Sequence, residues 1–313
     1  MTSRRSFLKK SLIGSTALTL PGVLSNDFFS SQNQLPKISL AQWSLNRDIK
    51  KGEIKAEAFP TISRVGYGIE AVEYVSTFYS DQKSNAAFWL SMAHQCRSEG
   101  VKSLLIMVDA EGELGDSNAN KRLKAVDNHK GWVDIAARLQ CHSIRVNAFG
   151  DGDRATLKGS LVDGLGKLCE YGAKAGINIT IENHGLFSSD ADFVVEVIKE
   201  INNPFMGTLP DFGNWCTSQK WGGTSDNKCK EVFDPAKGVA AFMPYAKGVS
   251  AKTYNFNKEG GQPRIDYPGL LKIVKDHGYE GYIGIEYEGN NLSEGEGILA
   301  TQKLIEKTWL SLD

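Results

Sequence analysis

The stretch IENHG, residues 181–185, ends a short β-branched run with an acid, an amide and an imidazole in close succession. Two later apolar runs also end in an acid, with 206–210 stopping at Asp211 and 282–285 stopping at Glu286. Acids at the ends of apolar strands are costly unless they are paired, hydrated or bound to a metal. If the sheet closes into a barrel, acids at the same end of successive strands converge. The pattern therefore predicts a metal-dependent active site on a (β/α)8 barrel.

Strand-like and helix-like segments alternate along the chain at intervals of one βα unit. The predicted strands begin near Ile38, Ile69, Lys102, His142, Asn178, Phe205, Gly248 and Tyr282. Helical periodicity covers 81–99, 118–139, 158–175, 190–201 and 294–312, and another helix opens at Tyr267. Eight such units predict a single-domain (β/α)8 TIM barrel. A doubly wound open sheet is the alternative, but no glycine-rich dinucleotide loop follows the first strand.

One connection, from residue 214 to about 247, is much longer than the others. Long connections in compact domains are usually functional. We expect this one to overhang the C-terminal face of the barrel, where such enzymes bind their substrates.

The N-terminus has the features of an export signal. A block with Arg4, Arg5, Phe7 and Leu8 is followed by a weakly apolar run over 11–24. Twin-arginine signals have this order, and the run is too short for a stable membrane anchor. The alternative is a basic disordered N-terminus. We therefore expect a signal and linker over 1–30, a catalytic barrel over 36–313, and a location in the periplasm.

The composition predicts a well-filled core, since 41% of the residues are hydrophobic, and the formal net charge of −1 predicts no nucleic-acid surface. Five cysteines leave at least one unpaired within the chain. We expect Cys96, Cys141 and Cys169 to be buried thiols because they lie in apolar segments. A disulfide between Cys216 and Cys229 is an open alternative to two free thiols, and an oxidising compartment would favour it.

The strand-end acids resemble those of the xylose isomerase-like TIM-barrel superfamily of sugar isomerases and epimerases. Glu182 is similar to the family's first metal-ligand Glu on strand five. Asp211, in Asp-Phe-Gly-Asn, is similar to the Asp of the family's Asp-x-Gly-His on strand six. Glu286 is similar to the final ligand Glu on strand eight. The resemblance covers the whole chain after the predicted signal.

The chain departs from the family's pattern on strand seven. The family has His-x-Lys there, whereas this chain has Ser250-Ala251-Lys252, so the Lys is kept and the His ligand is absent. His184 could replace the missing imidazole from a neighbouring strand, or it could bind substrate or transfer a proton. Asn214 stands in place of the family's second His. It can hydrogen-bond a hydroxyl but cannot act as an acid or base.

The resemblance implies proton transfer next to a sugar carbonyl. One divalent metal (Mn, Mg, Co or Zn), bound by Glu182, Asp211 and Glu286, would stabilise the enediolate. Glu182 and Glu286 would form the acid/base pair, and Lys252 would hold the oxyanion or act as a base. The implied substrate is a small carbohydrate. We expect it to be unphosphorylated, since an exported enzyme is unlikely to meet sugar phosphates.

Further polar and aromatic residues are candidate substrate contacts. The polar candidates are Glu73, Asp109, Asn147, Asn183 and Asn214, and the candidates for a stacking wall are Trp43 and Trp215. Core packing explains each tryptophan equally well. The other four histidines, His94, His129, His142 and His277, are interpreted as structural.

Three functions are compatible with these residues. The first is a metal-dependent sugar isomerase or epimerase, and the second is a metal-dependent lyase or hydrolase of 3-keto-glycosides, which uses the same enediolate. The third is a non-catalytic carbohydrate-binding barrel. Apurinic-site endonucleases resemble this fold class but need three zinc ions and many more histidines than the five present here. The sequence leaves the sugar, the metal and the oligomeric state open.

Overall fold

The computed structural model describes residues 35–223 and 229–312, and the predicted export signal lies outside them. Eight strands form one parallel sheet with the order β6-β5-β4-β3-β2-β1-β8-β7. They are β1 Lys37–Ala41, β2 Ala71–Val75, β3 Lys102–Met107, β4 Ser143–Asn147, β5 Asn178–Glu182, β6 Met206–Leu209, β7 Val249–Thr253 and β8 Tyr282–Tyr287.

The sheet closes into a barrel between β6 and β7. A parallel bridge joins Asp211 to Ser250. On either side of it, the Ser250 amide donates to the Pro210 carbonyl at 2.9 Å, and the Phe212 amide donates to the Ser250 carbonyl at 3.0 Å. The predicted (β/α)8 TIM barrel is therefore confirmed.

Helices surround the barrel and connect its strands. They are α1 Asn46–Lys51, α2 Phe59–Thr61, α3 Ala86–Glu99, α4 Ala119–Leu139, α5 Arg154–Ala175, α6 Ala191–Ile201, α7 Pro235–Phe242, α8 Tyr267–Asp276 and α9 Glu294–Ser311. Short 3₁₀ segments lie at Gln42–Leu45, Ala56–Ala58, Ser76–Gln82, Leu186–Ser189 and Met243–Tyr245, and Ile62–Gly66 is a π-helical turn.

Two predicted boundaries change for local reasons. Helix α3 begins at Ala86 rather than at 81, because the Asn85 side chain accepts a hydrogen bond from the Phe88 amide and caps the helix there. The expected long connection from 214 to about 247 is interrupted by α7. Asp234 caps that helix and Pro235 occupies its first position. The long irregular segment therefore ends at Asp234.

The two faces of each strand have different environments, because successive side chains of a strand point to opposite sides. The outward side chains, such as Ile144, Ile181 and Ile285, are fully buried in the main hydrophobic core. The inward side chains include Arg145 and Glu182, which lie inside the barrel. The fold thus places the charged cluster inside the barrel, together with a small apolar cluster, and the main hydrophobic core outside it.

The structure decides between the alternatives that the sequence left open for the cysteines. Cys96, Cys141 and Cys169 are free and buried. Cys216 and Cys229 form a disulfide, which closes part of the segment between β6 and α7. In the described part of the chain, no helix combines the length and hydropathy needed to cross a membrane.

Candidate active site

Three carboxylates meet at the C-terminal end of the barrel. Glu182 ends β5, Asp211 follows β6 and Glu286 lies near the end of β8. Each offers an oxygen, and these oxygens lie within 4.8 Å of one another. All three residues are buried. The convergence expected from the three strand ends is therefore present.

The Asn183 amide fixes the position of Asp211. Its Oδ1 accepts from the Asp211 amide at 2.8 Å, and its Nδ2 donates to the carbonyls of Asp211 at 2.9 Å and Asn214 at 3.1 Å. The Asp211 carboxylate accepts from the Gly213 amide at 2.7 Å. Asn183 is fully buried by these contacts. We therefore correct its assignment as a substrate contact, because it holds the end of β6 in place.

Ser250 and Lys252 fill the β7 side of the carboxylate group. The Ser250 hydroxyl is 2.6 Å from Asp211 Oδ2 and 3.2 Å from Glu286 Oε2. Lys252 Nζ lies 3.2 Å from Glu286, 3.1 Å from Glu288 and 3.7 Å from Asp211. Ser250 thus connects Asp211 to Glu286. It stands at the strand position where the expected pattern has a histidine ligand.

Arg145, on β4, pairs with Glu182 on the opposite side of the carboxylate group. Its Nε lies 2.8 Å from Glu182 Oε2, and its Nη1 lies 2.7 Å from Asp109 Oδ1. The Nε contact is an ion pair without the alignment of a hydrogen bond, so Glu182 Oε2 is buried with no hydrogen-bond partner. A buried carboxylate oxygen in this condition retains the capacity to accept a further ligand.

A chain of hydrogen bonds sets the tautomer of His184. The Asn147 amide donates to Asp109 Oδ1 at 2.7 Å, so its oxygen faces His184 Nδ1 at 2.9 Å. An amide oxygen only accepts, so Nδ1 carries the proton and Nε2 is the acceptor of the neutral ring. His184 lies beside the three carboxylates and is not part of that group, with Nδ1 at 3.8 Å from Glu182 Oε2. The structure therefore does not support His184 as the replacement metal ligand.

Burial and mutual charge shift the ionisation of this cluster. Burial raises the pKa of Asp211 to about 7, aided by Glu286 and opposed by Lys252 and Ser250. Burial also raises the pKa of Glu182 well above its usual range, against the lowering effect of Arg145. Burial and the charges of Arg145 and Lys252 lower the pKa of His184 well below its usual value. Burial thus favours the neutral forms of Asp211, Glu182 and His184.

Lys252 behaves differently from these groups. Burial lowers the pKa of its ammonium, but the carboxylates of Asp211, Glu286 and Glu288 raise it well above the usual value. Lys252 is therefore a fixed cation. Of its two predicted roles, the charge favours the holding of an oxyanion over the removal of a proton.

A cavity of about 480 Å³ opens beside Glu286, within the size range of small-molecule sites. Trp43 and Trp221 line it together with Asn214 and Tyr254. The Trp43 ring stacks on Phe78 at 5.8 Å between centroids. The expectation that Trp43 lies at the site agrees with this position.

Two further candidates lie elsewhere. Trp215 is fully buried and packs against Phe233 and Phe242, so its assignment as a stacking wall is corrected to core packing. Glu73 is buried inside the barrel, where Ser39 donates to it at 2.6 Å. It does not line the cavity, and neither do Glu182 and Asp211, so its assignment as a substrate contact stays a prediction.

Sequence reasoning missed Arg145 and Trp221, which line the cavity. Arg145 lies on the same strand face as Asn147, and a charged residue between Ile144 and Val146 was a usable signal. Trp221 lies in the Gly-rich segment after β6, where no periodicity marks it. It reaches the site because Gly185, at φ +101°, lets residues 219–222 pass close to the end of β5.

The carboxylate group fits a divalent cation. Three buried carboxylates offer converging oxygens, and one oxygen of Glu182 lacks a hydrogen-bond partner. The fourth neighbour, Ser250, adds a hydroxyl in place of an imidazole. Oxygen donors of this kind suit hard ions such as Mg²⁺ and Mn²⁺.

The chain belongs to the xylose isomerase-like TIM-barrel family, whose model matches residues 65–308. This confirms the resemblance seen at the strand ends. No match was found among the curated proteins.

Solved structures with the same fold include three of particular interest. A D-tagatose 3-epimerase-like protein has a TM-score of 0.64 at 16% identity, covering 87% of this chain and 96% of its own. The IOLI protein, which holds a zinc atom, has a TM-score of 0.62 at 14% identity, covering 87% and 97%. The 3-keto-D-glucoside 4-epimerase from E. coli has a TM-score of 0.59 at 13% identity, covering 87% and 99%. At these identities the likeness concerns the fold.

Proposed function

We propose that this protein is a sugar isomerase or epimerase that moves a proton next to the carbonyl of an unphosphorylated keto-sugar. The observation that carries the proposal is the convergence of Glu182, Asp211 and Glu286, the last of which lines a cavity with aromatic walls. Similar folds occur in a D-tagatose 3-epimerase-like protein and a 3-keto-D-glucoside 4-epimerase, which is consistent with this chemistry.

Glu182 and Glu286 are the proposed acid/base pair. One carboxylate removes the proton from the carbon beside the carbonyl, and the other returns a proton to the enediolate. Arg145 holds Glu182 from one side, and Lys252 holds Glu286 from the other. Both carboxylates are thereby oriented before substrate arrives, which lowers the reorganisation needed during the reaction.

Lys252 and His184 are proposed to act on the substrate oxygens. The Lys252 ammonium, 2% exposed, stabilises negative charge on the enediolate oxygen. His184 Nε2 accepts a hydrogen bond from a neighbouring hydroxyl, since its Nδ1 is committed to Asn147. Asn214, which lines the cavity, offers a further amide for hydroxyl binding.

One divalent cation is proposed at Glu182, Asp211 and Glu286. When bound there, it would polarise the carbonyl and the adjacent hydroxyl. The all-oxygen donors favour Mg²⁺ or Mn²⁺ over Zn²⁺ or Co²⁺. Among the similar folds, the IOLI protein holds zinc.

The charge of the cavity supports a neutral substrate. In the described lining the cations are Arg145 and Lys252, and each already contacts at least two carboxylates. Asp109, Glu286 and Glu288 also line the cavity and would repel a phosphate dianion. An unphosphorylated sugar, bound by stacking and hydroxyl contacts, matches this surface better.

Metal content and proton exchange together test the proposal. The protein is purified, its divalent metal is measured by elemental analysis, and ketoses and 3-keto-glycosides are incubated with it in D₂O. We expect about one ion per chain, lost in Asp211→Ala, and deuterium incorporation beside the carbonyl by NMR that Glu286→Gln abolishes. Ligand binding without metal or deuterium exchange would replace the proposal with a carbohydrate-binding barrel. Release of the aglycone would indicate the lyase instead.

We also propose that the protein is exported to the periplasm by the twin-arginine route. The Arg4-Arg5 block and the Cys216–Cys229 disulfide support this, since disulfides persist in oxidising compartments. Cell fractionation of the full chain and of an Arg4→Lys, Arg5→Lys variant tests it. Retention of the variant in the cytoplasm is the expected result, and equal export of both forms would contradict the route.

A further inference from the structure

A second cavity lies beside the first one. It has a volume of about 210 Å³ and is bordered by the loops that follow β3 and β4 and by the segment after β6. Asp109 and Trp221 line both cavities. The two cavities are therefore neighbours that share a border.

Trp221 forms that border, and its backbone conformation is one that neighbouring contacts must stabilise. Its φ of +59° lies in the left-handed region, which is uncommon for a bulky residue. Its amide donates to the His184 carbonyl at 3.0 Å. Its ring lies nearly perpendicular to the rings of His184, at 4.6 Å between centroids, and of Phe149, at 4.9 Å. The side chain is nevertheless 48% exposed, so a large aromatic surface remains available for contact.

The lining of the second cavity combines an aromatic face with charged hydrogen-bonding groups. Lys220 forms an ion pair with Glu113, and its Nζ lies 4.6 Å from the centroid of Phe149. Glu111 and Asn147 contribute a carboxylate and an amide. Aromatic faces pack against the C–H surface of a sugar, and charged groups hydrogen-bond its hydroxyls. Glu113 and Lys220 pair with each other and remain more than a third exposed, so their polar atoms can also bond the hydroxyls of a sugar.

We propose that the second cavity binds the second sugar ring of a disaccharide-type glycoside, whose reacting ring occupies the first cavity. This inference rests on the proposed function and narrows its substrate from free keto-sugars to two-ring glycosides that carry the carbonyl on one ring. The glycosidic bond passes the border formed by Asp109 and Trp221. Trp221 contacts both rings, whereas Glu113 and Lys220 contact only the second.

Binding of matched one-ring and two-ring probes tests the inference. Dissociation constants are measured by calorimetry for methyl β-D-glucopyranoside against cellobiose and for methyl α-D-glucopyranoside against maltose, each also as its 3-keto derivative. We expect at least one two-ring probe to bind the wild type at least tenfold more tightly than its one-ring partner. Glu113→Gln and Lys220→Met should each remove most of this gain and leave the one-ring affinity within about twofold.

Substitutions of two aromatic residues serve as controls. Trp43→Ala changes only the first cavity, so it should weaken both members of a pair by the same factor. Trp221→Phe should retain most of the preference for two rings, and Trp221→Ala should lose it. Equal affinity for one-ring and two-ring probes, or a preference unaffected by Glu113→Gln and Lys220→Met, would overturn the inference while the proposed function stands. Binding of neither probe by the wild type would count against both.

Discussion

The outward and inward faces of the same strands differ sharply in chemistry. On β5, Ile181 points outward and is fully buried among apolar side chains, whereas the next residue, Glu182, points inward to Arg145. On β8, Ile285 and Glu286 repeat the contrast. Adjacent residues that are both buried thus have different environments. One packs in the hydrophobic core, and the other belongs to the charged cluster inside the barrel.

We infer from this difference that the outward face stabilises the fold and that the inward face carries the chemistry. The outward face gains free energy from apolar burial and contains the side chains that hold the helices to the sheet. The inward face buries carboxylates, an arginine and a lysine, which cost desolvation energy even when they are paired. Folding alone does not require that cost. Buried ionisable clusters of this kind are typical of functional sites.

The largest expected effect is on turnover. Glu182→Gln should lower kcat in the deuterium-exchange assay by about 10²- to 10⁴-fold, because an amide cannot transfer the proton. Arg145 keeps Asp109 as a partner, so the variant should still fold. Urea unfolding of the same preparation provides the control. Near-normal turnover would refute the acid/base assignment.

The neighbouring outward residue should give the opposite result. Ile181→Ala creates a cavity between sheet and helices and should lower the free energy of unfolding by about 2 to 5 kcal/mol. Turnover per folded molecule should change little, because the side chain points away from the site. Urea titration followed by circular dichroism measures the loss. A variant of normal stability but low turnover would contradict the separation of the two faces.

Glu73 tests whether charge inside the barrel opposes folding. Burial raises the pKa of Glu73 from 4.5 to about 7, with Glu286 adding to the rise against Ser39 and Arg145. A raised carboxyl pKa favours the folded state below pH 4.5, and this contribution falls as the pH rises to 7. Glu73→Gln keeps an acceptor for Ser39 and stays neutral. It should therefore be more stable than wild type at pH 8 by up to about 3 kcal/mol.

The pH dependence supplies the control for this variant. At pH 4 the carboxyl is protonated in both folded and unfolded wild type, so the Gln variant should show no advantage there. Chemical unfolding of metal-free protein at both pH values gives the comparison. An advantage of equal size at pH 4 and pH 8 would mean that packing, rather than ionisation, explains it.

The smallest expected effect concerns Ser250. Ser250→Ala removes its hydrogen bonds to Asp211 and Glu286 and should cost about 1.5 kcal/mol of stability. Lys252 and the Gly213 amide remain on Asp211, so the carboxylate keeps other partners. Thermal unfolding measures the difference. A loss as large as that for Ile181→Ala would show that Ser250 is part of the structural core.

Much of the fold could be predicted from the sequence because its signals are local. Alternating strand and helix patterns predicted eight βα units, and strand starts such as Lys102, Asn178 and Tyr282 are confirmed. Helix α7 was missed because it is short and lies in a segment without clear periodicity. Its start depends on the cap at Asp234 and the following proline.

The features of the candidate site also divide into those that the sequence predicts and those that only the tertiary structure decides. The sequence by itself determined which acids end their strands, since Glu182, Asp211 and Glu286 each follow an apolar run. It also determined which strand face each residue occupies, because side chains alternate with a period of two.

Only the tertiary structure decided which of these residues meet. Arg145 contacts Glu182 and Trp221 contacts His184 through barrel closure and loop packing, and both partners are remote in sequence. Trp43 lines the cavity and Trp215 joins the core, although the sequence treats them alike. Local patterns fix the direction of a side chain, whereas its neighbours depend on how distant segments pack.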